Sequence, residues 1–159
     1  MDKRALIKKI VAQLESELAL LTKAARSAHA EATHESSKAE NKYDTRGLEA
    51  SYLARGQSKQ AAEAVQAIED FKALPVRAFG PADGIDIGAL VELTSKKECS
   101  VYFIGPRAGG TEVVQEKREV LVLTPQSPLG QQLLGRKAGE KLQLALAGTT
   151  NEFKIASVA

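Results

Sequence analysis

Residues 122–142 read Val122-Leu-Thr-Pro-Gln-Ser-Pro-Leu-Gly-Gln-Gln-Leu-Leu-Gly-Arg-Lys-Ala-Gly-Glu-Lys-Leu142. The apolar start predicts a strand that ends at Thr124. The Ser-Pro pair predicts the beginning of a short helix at about residues 129–134, because serine favours the N-cap and proline the first helical position. Gly135 is expected to end that helix, and a turn at residues 138–140 then leads into another strand.

The sequence around this stretch is rich in strand patterns. Including the two strands just described, strands are predicted at about residues 89–94, 99–104, 112–114, 119–124, 141–147 and 152–158. They are separated by turns of glycine and polar residues. We therefore predict a small antiparallel β-sheet domain with one short helix over residues 85–159, after a proline- and glycine-rich linker at residues 75–84. Cys99 falls in an apolar strand and is expected to be a buried core thiol.

Residues 1–74 carry a different pattern, with apolar residues at alternating steps of four and three. One such seam runs from Ile7 to Ala32 and a second from Ala50 to Phe71. This spacing predicts two helices that fold back on each other as an antiparallel α-helical coiled-coil hairpin, so that the whole chain is α+β. Alanines dominate toward the bend, and the arm should extend roughly 45 to 50 Å. The alternative is that the seams pair two copies of the chain.

The predicted bend at residues 35–49 gathers four carboxylates: Glu35, Glu40, Asp44 and Glu49. Mg²⁺ takes oxygen ligands and often needs only one or two carboxylates from a protein. Carboxylates at the end of a long arm could complete a magnesium site on a partner. The alternative is a solvated turn of mixed charge.

The segments Leu123-Thr-Pro-Gln-Ser-Pro-Leu-Gly130 and Leu133-Leu-Gly-Arg-Lys-Ala-Gly139, placed after a long helical hairpin, resemble the Gre family of bacterial transcript-cleavage factors. The resemblance implies an FK506-binding-protein-like (FKBP-like) carboxy-terminal domain, which docks on the rim of the RNA polymerase secondary channel through Ser127 and Pro128. The resemblance also implies that the arm brings its acidic tip and a shared Mg²⁺ to the active site and the nascent RNA. On this basis Asp44, Glu40 and Glu49 are the candidate catalytic residues, and Asp44 and Glu40 are the candidate metal ligands. The other interpretation of Ser127-Pro128 is that it only caps the short helix.

The sequence departs from the family pattern at the tip. Alignment without gaps places Asp44 at the family's aspartate, but Gly47 then stands where a glutamate is expected. Two versions of the function stay open: stimulation of transcript cleavage, or regulation of transcription from the same channel without cleavage, as by DksA. A peptidyl-prolyl isomerase is a third hypothesis, disfavoured because few aromatic residues follow Pro75 to line a pocket.

Composition bounds the remaining functional classes. The 159 residues have a formal net charge of +2, and 43% are hydrophobic, which suffices for one modest core and an arm. The carboxy-terminal half has no histidine, phosphate-binding loop or nucleophile elbow, so we expect an accessory factor that is not itself an enzyme. No signal peptide or membrane span is predicted, which favours a cytoplasmic protein. The intramolecular hairpin favours a monomer.

Overall fold

The computed structural model describes residues 1–33, 46–146 and 148–159, with the backbone alone for residues 25, 28–33, 46–55, 57 and 146. It confirms the α+β class and the order of the predicted elements. Among the described residues, no helix has both the length and the apolar character that crossing a bilayer requires. The elements are α1 (Lys3–Thr33), α2 (Arg46–Ala73), β1 (Leu90–Thr94), β2 (Cys99–Ile104), β3 (Glu112–Gln115), β4 (Arg118–Leu123), α3 (Pro128–Leu133), β5 (Lys141–Leu146) and β6 (Thr149–Val158).

Two compact units divide the chain. Ala12–Glu69 forms a helical unit, and Met1–Val11 together with Asp70–Ala159 forms a β unit that includes the first turns of α1. In the helical unit, burial follows the predicted seam: Leu14 and Ile68 are buried, whereas Ala61 and Ala64 are half-buried. The two predicted helices are thus confirmed, and Leu14 and Ile68 are seam positions that are removed from water.

The six strands form one sheet in the order β3-β4-β2-β1-β6-β5. The prediction of a purely antiparallel sheet is wrong in one pairing, because β2 and β4 run parallel, with Val101 opposite Val120. After β2 the chain crosses to the sheet edge and returns as the β3–β4 hairpin, which brings β4 beside β2 in the same direction. Backbone bonds from Gly105 N to Leu123 O (2.8 Å) and from Gly110 N to Val122 O (2.9 Å) hold this crossing against β4.

The sheet of the β unit is covered on both faces. On one face Phe71 packs on Phe103, with ring centroids 6.3 Å apart, and Leu6 and Ile10 of the same unit are fully buried. On the other face α3 contributes Leu133 to a second core. Members of that core include Ile85, Val91, Leu93, Ile104, Leu123, Phe153 and Ile155.

Lys3 ties the start of α1 to the segment before β1. Its Nζ donates to the carbonyl oxygens of Arg77 and, at 3.2 Å, of Gly88, and it lies 4.8 Å from the centre of the Phe79 ring. The side chain is buried, and burial followed by the nearby Arg77 charge lowers the pKa of Lys3 below its ordinary value. Lys3 therefore acts as an internal connector of the β unit.

Candidate functional site

Ser127 caps the short helix α3 in the way that the capping interpretation requires. The residue is extended (φ −65°, ψ 151°), and its Oγ accepts a hydrogen bond from Gly130 N at 3.0 Å. The same hydroxyl donates to Thr124 O at 2.7 Å. Pro128 then begins the helix, where a missing N–H costs nothing. Both hydrogen-bonding functions of the Ser127 hydroxyl are used to hold the loop in shape.

Gly130 is required by this packing. A Cβ at this position would lie 2.0 Å from Thr124 O and 2.7 Å from Ser127 Oγ, and neither distance is sterically possible. The Thr124 carbonyl also accepts the Ser127 backbone N–H at 3.0 Å. The spacing Ser-Pro-x-Gly is thus explained by one geometry, in which residues 124–130 close around the Thr124 carbonyl.

The far end of α3 is anchored to the segment before β1. Gly135, in the left-handed region (φ 77°), donates its N–H to Ile85 O at 2.9 Å, and Ile85 N donates to Arg136 O at 2.8 Å. Leu133 is fully buried between these anchors. The loop and helix are therefore fixed at both ends.

The outward surface of this segment is formed by three glutamines and one proline ring, and the Arg136 guanidinium lies beside it, because Arg136 Nε donates to Gln132 O at 2.6 Å. We call it the α3 surface; it comprises the exposed residues Gln126, Pro128, Gln131 and Gln132. Amide groups and a proline ring can bind a protein surface, but they supply neither a nucleophile nor a general base. The chemistry of the α3 surface accordingly fits recognition.

The loop at residues 105–110 lies next to the α3 surface. A Cβ on Gly109 would come 3.2 Å from Thr124 Cγ2. In the same loop, Arg107 Nε binds Asp70 Oδ2 at 2.6 Å, which links the loop to the end of α2. Sequence analysis assigned no role to Arg107, because Asp70 lies 37 residues earlier in the chain.

The prediction of a buried Cys99 is wrong, since the thiol is exposed. Cys99 begins β2 opposite Thr94, at the end of the sheet, where no element covers it. Its Sγ lies 2.9 Å from both Glu92 Oε1 and Arg118 Nη2, and Arg118 also forms an ion pair with Glu92. The hydrogen bond from Arg118 lowers the pKa of Glu92, whereas the hydrogen bond to Glu92 raises the pKa of Cys99. This thiol is therefore held in its protonated form.

The candidate residues of the bend are not tested by the structure. Glu40 and Asp44 lie outside the described residues. Glu49 falls in the first turn of α2, and its side chain is also outside the description. In the part of the chain that is described, no three His, Cys, Asp or Glu side chains are grouped as a metal site would require. The predicted roles of these three carboxylates stay predictions.

Comparison with known proteins gives matches among solved structures alone. No family model matches the chain, and no curated protein matches it. GreA factor homolog 1 (Gfh1) of Thermus thermophilus is 22% identical, over 96% of this chain and 94% of that chain, with a TM-score of 0.39. Gfh1 of Thermus aquaticus is 25% identical, over 95% of this chain and 92% of that chain, with a TM-score of 0.41.

A third similar structure covers less of the chain. The transcription elongation factor GreA/GreB from Nitrosomonas europaea is 16% identical, over 65% of this chain and 78% of that chain, with a TM-score of 0.35. Two of these three structures are thus of a GreA factor homolog, and one is of a GreA/GreB transcription elongation factor.

Proposed function

We propose that this protein is a transcription elongation factor that binds bacterial RNA polymerase. The observation that carries the proposal is the construction of the α3 surface. Ser127, Pro128 and Gly130, the residues of the Gre-like motif, all serve to hold one surface in a fixed shape. A loop anchored at both ends loses little conformational entropy when it docks on a partner.

In this proposal the two parts of the chain have separate roles. The β unit, which we expect to share the FKBP-like fold, docks through Ser127 and Pro128 at the rim of the polymerase secondary channel. The coiled-coil arm enters the channel, and the carboxylates of its bend reach toward the active site. Asp44, with Glu40 or Glu49, would help to hold a Mg²⁺ ion there, because carboxylate oxygens are the ligands that this ion prefers.

Gly47 motivates the second version of the function. A glycine at the position of the family's glutamate removes one carboxylate from the bend, and with it part of the electrostatic assistance to cleavage. Docking uses the α3 surface, so it would be retained. In this version the protein occupies the channel and regulates transcription without cutting RNA.

Docking is tested by measuring the affinity of labelled protein for bacterial RNA polymerase. Pro128→Ala removes the exposed ring and keeps the Ser127 hydrogen bonds, so weaker binding of a fully folded variant is expected. Gln143→Ala is the matched control, since Gln143 is exposed on β5 and lies outside the α3 surface. Equal affinity of the wild type and Pro128→Ala would remove Ser127 and Pro128 from the interface.

Cleavage is tested on a polymerase stalled in a backtracked complex. The protein is added with Mg²⁺, and the length of the nascent RNA is followed on a gel. Shortening that is lost in Asp44→Ala, but not in Glu69→Ala outside the bend, supports the cleavage version. Measurable binding without shortening supports the regulatory version, and absence of binding contradicts both.

A further inference from the structure

The β unit carries a groove that the proposed function does not use. It lies between the β1–β2 turn at residues 95–98 and the β5–β6 hairpin, and it encloses about 920 Å³. We call it the lysine groove, after the four lysines that line it: Lys96, Lys97, Lys141 and Lys154. Two carboxylates, Glu98 and Glu152, also line it, so the lining has a formal excess of two positive charges.

Strand register explains why these lysines come together. Lys154 of β6 is paired with Thr94 of β1 on one side and with Lys141 of β5 on the other. Directly opposed residues on neighbouring strands have Cβ atoms about 5 Å apart, so two like charges stand side by side on one face. Thr94 is the last residue of β1, and the following turn adds Lys96 and Lys97 beside this row. The arrangement concentrates positive charge at one end of the sheet.

Part of this charge lacks an ion-pair partner within the described part of the protein. Lys141 binds Glu152 at 3.2 Å. Among the described residues, no carboxylate lies within ion-pair distance of Lys96, Lys97 or Lys154, and all three side chains are exposed. Like charges on opposed strands repel each other and destabilise a sheet slightly. An anionic ligand bound at these lysines would reduce that repulsion.

The rest of the lining indicates the kind of anion. Hydroxyl groups of Thr149 and Thr150 and the amide of Asn151 are suited to phosphate oxygens. Phe153 is the single aromatic residue of the lining, and its ring is buried. Proteins that bind single strands generally offer exposed aromatic rings for base stacking. A groove with ammonium and hydroxyl groups and a buried ring suits the outside of a duplex instead.

We propose that the lysine groove binds the phosphate backbone of double-stranded nucleic acid without reading its sequence. This contact belongs to the β unit itself and does not depend on polymerase. It goes beyond the proposed function, because the protein would bind nucleic acid directly, through a surface other than the α3 surface and the bend.

The test is a titration of the full-length protein with a fluorescent 20-base-pair DNA duplex at two or more low salt concentrations. Neutralisation of Z phosphates gives a slope of about −0.9Z in a plot of log affinity against log salt, so up to four lysines predict a slope of about −2 to −4. Lys96→Gln/Lys97→Gln/Lys154→Gln should weaken binding about tenfold or more and make the slope shallower by about 2 to 3.

A matched variant separates the groove from net charge. Lys8→Gln/Lys23→Gln/Lys137→Gln also removes three charges, at exposed positions outside the groove, and should bind nearly as the wild type does. Equal weakening of the two triple variants would show attraction by net charge and overturn the proposal. Absence of binding at low salt, or tighter binding of a single strand of equal length, would overturn it as well. Because polymerase is absent, these outcomes leave the proposed polymerase contact untouched.

Discussion

Gly130→Ala is the substitution for which the structure predicts the clearest effect. The added methyl would lie 2.0 Å from Thr124 O, so either this carbonyl or the first turn of α3 must move by more than 1 Å. Overpacking of this kind costs about 1 to 3 kcal/mol. The move also breaks the Ser127 cap, which is worth about 0.5 to 2 kcal/mol. Replacing glycine within a helix returns up to about 1 kcal/mol, so we expect a net loss of about 0.5 to 5 kcal/mol.

The assay is urea unfolding followed by circular dichroism, with amide exchange at residue 130 as a local probe. Gly56→Ala in α2 is the matched control, because a Cβ at that position meets no atom within 4 Å. The control should be more stable than the wild type by about 0.5 to 1 kcal/mol. If Gly130→Ala unfolded at the wild-type urea concentration and kept slow exchange at residue 130, the packing account of the Ser-Pro-x-Gly spacing would be refuted.

Three further predictions concern stability and reactivity. Ser127→Ala removes the cap of α3 and should lower the free energy of unfolding by about 1 to 2 kcal/mol, measured by urea unfolding, whereas an unchanged midpoint would contradict the cap. The lowered pKa of Lys3 means that the folded state binds this proton more weakly than the unfolded state does. The free energy of unfolding should therefore rise with pH as the ordinary lysine pKa of about 10.4 is approached from below, and Lys3→Met should show less of this rise. Glu92→Gln removes the carboxylate that raises the pKa of Cys99 and should speed alkylation of the thiol at about pH 8, and an unchanged rate would show that Glu92 does not control the thiol.

Local patterns were sufficient to predict most elements of this fold. The predicted short helix at residues 129–134 is observed at Pro128–Leu133, because the Ser-Pro start and the Gly135 stop act within a few residues. Strand β6 begins at Thr149, three residues before its predicted start at 152, because Leu146 pairs with Thr149 and leaves only two residues for the turn. Boundaries that depend on the tightness of a turn were the ones that shifted.

Features set by distant residues could not be read from local patterns. The parallel pairing of β2 with β4 depends on the crossing held by Gly105, where a Cβ would lie 2.7 Å from Phe71 Cζ, and no local pattern shows this. Cys99 lies in an apolar stretch, but it is exposed because it begins β2 opposite Thr94, the last residue of β1. The β3–β4 turn places Glu116 and Lys117 at positive φ (52° and 64°), although neither is glycine.

The same distinction applies to the candidate site. The motif around Ser127 and Pro128 was found from sequence because its residues are consecutive, and the structure adds the reason for each of them. The lysine groove was missed because its lysines come from three separated segments that only the strand register brings together. The connector role of Lys3 was missed for the same reason, since the carbonyl oxygens that it binds belong to Arg77 and Gly88.

The most direct test of the central claim is the affinity of this protein for bacterial RNA polymerase, measured side by side for the wild type, Pro128→Ala and Gln143→Ala. The account predicts saturable binding by the wild type and by Gln143→Ala, and markedly weaker binding by a Pro128→Ala variant that unfolds at the same urea concentration as the wild type. Absence of wild-type binding, or equal affinity of all three proteins, would contradict the claim that the α3 surface docks on polymerase.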